Sequence, residues 1–384
     1  MRHENSVFHQ LTQHIPWKQF DRLVDKHRSD FRVRQLDSKS QFLALLFGQL
    51  AGATSLREIA AGLGSHRSRL YHCGAKPIAR STLSDANAKR PWILFADLFG
   101  HMSASASRST RRSLPEAVRI LDATTIRLSG LTIDWSRSRS NRSAVKLHVV
   151  YDPNKDVACT AVVTAENVND ITPARQLKIE PGATYVFDLG YYNYQWWADM
   201  DAVGCRFVTR LKTFTPIKVA KKLPVSSGTN ILSDCIGYLP TRLGSSRRNP
   251  MYKPVREIKV RISTGKIIRL VTNDLMAPAH KIADLYKQRW QVELFFKWIK
   301  QNLRIKHFLG NSENAVRIQL FVALITYLLL RLAQATQKTI KQPLMFARLV
   351  RLNIMHTRPI NTLNQPPTQI PKDTQQMIFE LSQC

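Results

Sequence analysis

The sequence is short of acidic residues, and this shortage is the first feature that bears on function. Its 384 residues contain 27 Asp and Glu against 57 Lys and Arg, which gives a formal net charge of +30. The basic residues are spread along the chain and are not confined to a tail, so the charge indicates a polyanionic partner. A nucleic acid is the first candidate. A membrane surface is the second, but no basic amphipathic helix with an aromatic face supports it.

Cysteines are also few, and the apolar runs are short. The five cysteines are odd in number and no two are spaced as CxxC, so neither a disulfide framework nor a zinc site is indicated. The first ten residues, MRHENSVFHQ, lack the apolar core of a secretory signal. The most apolar stretch, residues 320–332, is interrupted by Thr326, Tyr327 and Arg331 and is too short for a membrane span. It predicts a buried helix in a cytoplasmic protein with reduced thiols.

The first 115 residues predict a helical domain. Ser55 is followed three positions later by Glu58, the spacing of a capping box at a helix start. A second capped start is expected at Ser81. Two short helices around a polar, basic segment suit a helix-turn-helix DNA reader and suit an ordinary helical bundle equally well. DNA binding by residues 1–115 is therefore a hypothesis that rests on the basic character of that segment.

The pattern changes after a polar, basic linker at about residues 104–114. Short stretches rich in β-branched residues then predict strands, at 118–128, 146–151, 159–164, 183–189 and 207–211. Residues 212–277 continue as a β-rich region, with a hairpin across Ser263-Thr264-Gly265. From residue 278 onward the pattern is helical again.

These changes divide the chain into five parts and place it in the α/β class. The predicted parts are a helical domain (1–115), a first core segment (116–211), a β-rich insertion (212–277), a second core segment with a long helix (278–340) and a C-terminal tail (341–384). The tail is rich in Pro, Gln and Thr from about residue 357, so we expect it to be loosely packed.

The most informative segment is ADLYKQRWQVELFFKWIKQNL, residues 283–303. At about 100° per residue, one stripe of a single helix carries five polar side chains: Tyr286, Arg289, Glu293, Lys297 and Lys300. An apolar stripe beside it would pack on a sheet. The polar stripe alone is compatible with an ordinary solvated face held by ion pairs from Glu293 to the basic residues on either side.

The order and spacing of these residues favour a functional interpretation. Tyr286, Arg289, Glu293 and Lys300 form Y-x2-R-x3-E-x6-K, which resembles the signature of a large group of bacterial insertion-sequence transposases of the DDE type. The stretches QFLALLFGQLAGATSLREI and ARSTLSDANAKRPW also resemble a helical N-terminal domain found in some members. The resemblance covers roughly residues 5–335.

The resemblance implies a ribonuclease-H-like mixed sheet, an inserted β-rich subdomain and three catalytic carboxylates. The first is expected in the first strand, where Asp122 lies in RILDATTIRLS. The second is expected at the end of a later strand and before a glycine and an aromatic residue, where Asp188 lies in YVFDLGYYN. The third, beyond the insertion, is Glu293.

Three carboxylates suit a two-metal site. Mg²⁺ prefers oxygen ligands, and two ions about 4 Å apart serve in-line phosphoryl displacement. The resemblance implies Asp122, Asp188 and Glu293 as metal ligands for Mg²⁺, with Mn²⁺ as a substitute. It also implies that Tyr286, Arg289 and Lys300 grip DNA phosphates, and Lys297 is added because it lies one turn from Glu293.

The expected partner is double-stranded DNA, as terminal inverted repeats and as target, bound by a homodimer in a synaptic complex. The expected location is the bacterial cytoplasm, in association with the nucleoid. Two alternatives stay open from the residues alone: a metal-dependent nuclease or resolvase that cuts without joining, and a DNA-binding regulator without catalysis.

Some relatives stack an unpaired base on a Trp of the β insertion. This chain has seven Trp but none between residues 201 and 289. If it flips a base, an aromatic residue such as Phe214, Tyr238 or Tyr252 must take that part, and a hairpin-forming route is not established by the sequence.

Overall fold

The structure, a computed structural model, describes residues 5–110, 117–128, 143–244, 247–305, 307–337 and 339–366. Residues 5–110 form seven α-helices: α1 (Val7–Thr12), α2 (Trp17–Lys26), α3 (Ser38–Ala51), α4 (Leu56–Ser65), α5 (Arg67–Leu70), α6 (Arg80–Lys89) and α7 (Ile93–Thr110). The last of these extends into the stretch expected to be a linker. The remainder of that stretch and the last part of the tail lie outside the described residues.

The two predicted helix starts behave differently. Ser55 caps α4, because its Oγ accepts a hydrogen bond from the Glu58 backbone N–H at 3.1 Å. The Glu58 carboxylate reaches back to the N–H of Thr54 at 2.7 Å, one residue before the expected position. At α6 the prediction is wrong. The residue before the helix is Ala79, which makes no side-chain cap, and Ser81 lies inside the first turn.

One nine-stranded sheet runs through the rest of the molecule. Its strands are β1 (Val118–Arg127), β2 (Ala144–Asp152), β3 (Val157–Ala165), β4 (Thr184–Phe187), β5 (Arg206–Arg210), β6 (Lys218–Lys222), β7 (Ile231–Tyr238), β8 (Val255–Arg261) and β9 (Ile267–Thr272). The spatial order is β3-β2-β1-β4-β5-β9-β8-β7-β6. Two short helices, α8 (Ile171–Ala174) and α9 (Tyr194–Ala202), lie in the connections on either side of β4.

The first five strands confirm the predicted ribonuclease-H-like core. Strands β1, β2 and β3 are antiparallel neighbours, and β4 and β5 run parallel to β1 on its other side. The predicted hairpin is β8–β9, with Gly265 in the left-handed region at φ 81°. Strands β6–β9 continue the core sheet, because β9 pairs with β5.

Side chains of β1 alternate between two layers. Ile120 and Ile126 face the layer that holds the C-terminal helices, whereas Leu121 faces the layer that holds α9. By the same alternation Asp122 faces the C-terminal helices.

The long helix predicted for residues 283–303 is divided in two. Helix α10 (Ala279–Gln288) ends before Arg289, and α11 (Trp290–Asn302) begins after it. Arg289 keeps right-handed helical angles, but the N–H of Val292 bonds to the Arg289 carbonyl, three residues back instead of four. The stripe of polar residues therefore spans two helices joined by one tight turn.

The apolar stretch around residues 320–332 lies in α12 (Glu313–Ala335). Contrary to the prediction, this helix is long and apolar enough to cross a membrane by length and composition. The predicted burial is confirmed: Val316, Ile325 and Leu329 are completely buried, and the helix packs against α3, α6 and α7. A helix that is apolar all round is thus explained by burial inside the protein.

The expected loose tail begins as an ordered helix. Helix α13 (Pro343–Asn353) packs on α3 and α12, and the chain beyond it contacts α1. The N–H groups of Val7 and Phe8 bond to the carbonyls of His356 and Ile354 at 3.0 and 2.8 Å. The N-terminal helices therefore share one apolar core with α12 and α13, and residues 5–110 do not form a closed unit.

The shared core predicts unequal effects from two substitutions on α13. Phe346 is fully buried, and Phe346→Ala is expected to lower the free energy of unfolding by about 3–5 kcal/mol. Leu352 is 74% exposed on the same helix, and Leu352→Ala is expected to change it by no more than about 0.5 kcal/mol. Urea unfolding followed by circular dichroism measures both. Equal effects would show that α13 is not anchored in the core.

Candidate active site

Two carboxylates meet on neighbouring strands in the interior of the sheet. Strands β1 and β4 are parallel neighbours, and Leu121 on β1 is opposite Phe187 on β4. The next residue on each strand is an aspartate, Asp122 or Asp188, so the parallel register brings the two side by side. Asp122 Oδ1 accepts the N–H of Ala123 at 2.8 Å, and Asp188 Oδ1 accepts the N–H of Gly190 at 2.8 Å.

The third predicted carboxylate reaches the same place from α11. Packing of α11 over β1 puts Glu293 on the wall of a cleft of about 540 Å³ that Asp122 and Asp188 also line. The other walls include basic and polar side chains: Thr124, Arg289, Lys297, Lys300 and Gln301. Three acidic residues separated by up to 171 positions in the sequence thus share one concave surface.

Arg289 bridges two of the three acids. Its NH1 group lies 3.1 Å from Asp122 Oδ2, and its NH2 group lies 2.5 Å from Glu293 Oε1. The spacing of four residues anticipates the contact with Glu293. The contact with Asp122 depends on how α11 lies on the sheet, and the sequence carries no pattern for it. The guanidinium offsets the repulsion between these carboxylates.

Asp122 is the most perturbed acid in the cleft. Burial raises its pKa to about 6, and the neighbouring Asp188 and Glu293 push in the same direction. The N–H of Ala123 and the Arg289 guanidinium oppose the rise without cancelling it. A buried carboxylate with a raised pKa is one that gains strongly when a cation is placed beside it.

The predicted DNA-contact residues surround this acidic centre. Lys300 Nζ donates to Thr124 Oγ1 at 2.5 Å and to the Thr125 carbonyl at 2.9 Å. Lys297 is exposed on the cleft wall. Tyr286 lies on α10 beside Arg289, whose guanidinium carbon is 6.0 Å from the ring centre. Sequence analysis missed Thr124, although its position two residues after Asp122 places it on the same face of β1.

The donor set fits a hard divalent cation, since all three acids offer carboxylate oxygens. Over the described part of the chain, however, no three Asp, Glu, His or Cys side chains lie close enough to form a ready cation site. Asp122 and Glu293 are instead paired with Arg289.

The aromatic residues considered for base stacking are all exposed in the β-rich region. Phe214 is 96% exposed in the connection between β5 and β6. Tyr238 and Tyr252 border one cavity of about 290 Å³, together with Lys218 and Arg248. The contacts of these three residues do not single out one of them for stacking on an unpaired base, and base stacking stays a prediction.

Two family profiles match the chain. Residues 113–329 match the transposase DDE domain, which covers more than half of the 384 residues and all three acids. Residues 3–76 match DUF4372, a domain of unknown function.

Named relatives agree with the first match. A Sinorhizobium fredii protein named as transposase y4zB is 40% identical over 289 residues, 74% of this chain and 80% of the relative. A Geobacillus stearothermophilus protein named as a transposase for insertion sequence element IS5377 is 33% identical over 282 residues, 71% of this chain and 72% of the relative. A cryo-EM structure of the piggyBac transposase synaptic complex with hairpin DNA aligns at a TM-score of 0.44 and 11% identity, over 98% of this chain and 83% of that one. So weak a structural likeness adds no argument.

Because the pKa of Asp122 is raised, removing its charge is expected to increase the free energy of unfolding, by an amount that depends on pH. Its ordinary value is 3.8 and its value in the fold is about 6. The folded state therefore favours the protonated acid. This preference stabilises the fold fully below pH 3.8, and the stabilisation is lost as the pH rises through 6. In EDTA at pH 8, Asp122→Asn is expected to be more stable than the wild type by on the order of 2 kcal/mol. The difference should vanish near pH 4.

Urea unfolding at both pH values measures this difference, and Asp97→Asn is the control with the opposite sign. Burial raises the pKa of Asp97, but hydrogen bonds from Lys26 and His27 outweigh it, and the pKa lies below the ordinary value. Asp97→Asn should lose stability at pH 8. A loss of stability for Asp122→Asn at pH 8 would show that burial does not dominate at this position.

Proposed function

This chain belongs to the transposase DDE domain family and is a divalent-metal-dependent DNA transposase, and on that premise we propose that Asp122, Asp188 and Glu293 are its catalytic carboxylates. Their position on one cleft carries the proposal: Asp122 lies within β1, Asp188 directly follows the parallel strand β4, and Glu293 lies on the helix packed over β1. The reaction proposed is cleavage at the ends of a bacterial insertion sequence, followed by transfer of the cut strands to new DNA.

The three carboxylates would hold Mg²⁺, with Mn²⁺ as a substitute, because small divalent cations select oxygen ligands. When bound, such ions supply Lewis-acid activation of the attacking and leaving oxygens in phosphoryl transfer. Arg289 has a further part in this scheme. Its guanidinium pairs with two of the acids, and a cation that takes over those acids would free it to bind a phosphate in two-point fashion.

Lys297 and Lys300 complete the proposed phosphate grip. Both line the cleft with the three acids. Lys300 is held against β1 by Thr124 and the Thr125 carbonyl, so its ammonium group stays near Asp122. Tyr286, packed beside Arg289, would orient that guanidinium and contribute its hydroxyl to the same phosphate. These four residues would place the scissile phosphate, since small misplacements are costly in such reactions.

A second DNA contact is proposed for the helical N-terminal region. No acidic residue occurs between Glu58 and Asp85. Arg67, Lys76 and other basic side chains in this stretch are exposed, and Tyr71 projects among them at 85% exposure. A basic surface with a protruding aromatic residue suits contacts to phosphate and sugar. We propose that it binds the terminal inverted repeats.

The remaining expectations follow from this function. Double-stranded DNA serves as both terminal repeat and target, a homodimer holds two ends in the synaptic complex, and the protein works in the bacterial cytoplasm at the nucleoid. We retain residues 1–115, 116–211, 212–277, 278–340 and 341–384 as the functional division of the chain. Family membership favours the transposase over the nuclease and regulator alternatives.

Removing any one of the three carboxylates is expected to separate cleavage from binding. Asp122→Ala, Asp188→Ala and Glu293→Ala should each abolish cleavage of the element's ends in Mg²⁺, because each would hold metal. Binding to those ends, measured by gel shift, should persist. Asp97→Ala, at an ion pair on α7, should leave both assays unchanged. Undiminished cleavage by one of the three variants would remove that residue from the site.

Salt dependence separates the two proposed DNA contacts. Lys300→Ala should reduce the slope of log affinity against log salt by about one unit and also lower single-turnover cleavage. Arg67→Ala should reduce the slope similarly, yet leave cleavage within preformed complexes unchanged, because Arg67 lies on α5 and outside the cleft. If Lys300→Ala keeps the wild-type slope and the wild-type cleavage rate, the polar stripe of α11 is an ordinary solvated surface and does not bind DNA. An unchanged slope for Arg67→Ala would remove this part of the N-terminal surface from the interface.

A further inference from the structure

A fourth carboxylate, that of Asp170, lies directly behind the turn that carries Asp188. Asp170 precedes α8 and is partly buried. A Cβ built on Gly190 would lie 3.0 Å from Asp170 Oδ2 and 3.0 Å from Asp188 Oδ1. Both carboxylates therefore lie close to Gly190, and a side chain at this position would be in tight contact with each of them.

Two side chains of β2 hold Asp170 from the other side. Lys146 Nζ lies 2.9 Å from Asp170 Oδ1 and also donates to the Val168 carbonyl at 3.0 Å. His148, two residues along the same face of β2, is buried and places Nδ1 3.9 Å from Asp170 Oδ1. That nitrogen has no hydrogen-bond partner among the residues that the structure describes. Asp170 is thus fixed between a sheet strand and the Asp188 turn.

This arrangement differs from an ordinary surface ion pair. The two acids are similarly shielded, at 27% exposure for Asp170 and 28% for Asp97, but Lys146 is 21% exposed whereas Lys26, which pairs with Asp97 at a similar distance, is 62% exposed. Exposed pairs contribute little to stability and do not define geometry. A carboxylate pressed against the Asp188 turn brings a second negative charge close to Asp188, and Lys146 limits the repulsion that this causes.

We infer that Asp170 is a positioning residue for Asp188, an inference that rests on the proposed function of Asp188 as a metal ligand. Tied to β2 by Lys146, Asp170 abuts Gly190 and restricts the turn that aims the Asp188 carboxylate into the cleft. It touches neither DNA nor metal. It acts as the groups behind metal ligands commonly do, by orienting the ligand and strengthening its electrostatic attraction for the cation.

The test is Mn²⁺ binding by the full-length protein, measured as free Mn²⁺ in electron paramagnetic resonance titrations. Asp170→Asn is expected to weaken binding about tenfold. Cleavage should fall at low Mn²⁺ and return to near the wild-type rate at saturating Mn²⁺. The affinity for DNA ends should not change, and the metal-free protein should still unfold in a single cooperative transition. Asp97→Asn, which breaks the exposed Lys26 pair, should match the wild type in Mn²⁺ binding and cleavage.

A double-mutant cycle tests whether Asp170 acts through the turn. Gly190→Ala should itself weaken Mn²⁺ binding, because the added Cβ meets both carboxylates. Once Asp170→Ala has removed the carboxylate that this Cβ meets, the same Gly190→Ala change should cost less than in the wild type, so that the two effects are not additive. Strict additivity would overturn the inference.

Two other outcomes would also overturn it. One is wild-type Mn²⁺ binding by Asp170→Asn, and the other is weaker binding by a metal-free protein that no longer unfolds cooperatively, the mark of a general structural role. Asp188→Asn identifies which idea has failed. If Asp188→Asn still binds Mn²⁺ and cleaves DNA, the proposed site itself is wrong. If it loses both while Asp170→Asn is normal, only the positioning role is wrong.

Discussion

The parallel pairing of β1 with β4 is the contact on which the candidate site depends. It puts Leu121 opposite Phe187, so that the acids following them come together on neighbouring strands inside the sheet. A shift of one residue in either strand would turn its acid toward the opposite layer, away from α11. The register is held by the two buried residues that precede the acid on each strand, which are Ile120 and Leu121 on β1 and Val186 and Phe187 on β4. Core packing thereby sets the geometry of the polar site.

The charges of the side chains in the cleft determine which ligands it attracts. Three acids in a concave, partly buried place repel one another, and Arg289 relieves part of the repulsion by pairing with Asp122 and Glu293. Burial still raises the pKa of Asp122 to about 6. The cleft is therefore an acidic centre enclosed by basic residues, inside a protein whose net charge is +30. This arrangement combines attraction for cations at the centre with attraction for phosphates around it.

The sequence was sufficient for features that depend on local order and spacing. The strands, the buried α12 and the hairpin at Gly265 follow from periodicity and turn chemistry, and the three acids follow from the resemblance to the transposase family. Features that depend on tertiary register were not accessible. The contact between Arg289 and Asp122 joins positions 167 residues apart, and the pairing of β9 with β5 has no local pattern. Helix α13 could have been found, since Phe346 and Val350 stand four residues apart on one face. The composition of the Pro-rich stretch after it predicted a loosely packed tail instead.

The junction between the N-terminal helices and α13 has a consequence for how the chain is made. Helix α3 ends at Ala51, and its partner α13 begins at Pro343. At about 5–20 residues per second of synthesis, on the order of tens of seconds pass between the appearance of the two on the ribosome. During that interval the part of α3 that α13 covers has no permanent partner, although α4 and α12 cover the rest of the helix earlier. The nascent protein can therefore complete this core only after α13 has emerged, and a chain truncated before α13 would leave that part of α3 open to chaperones and proteases.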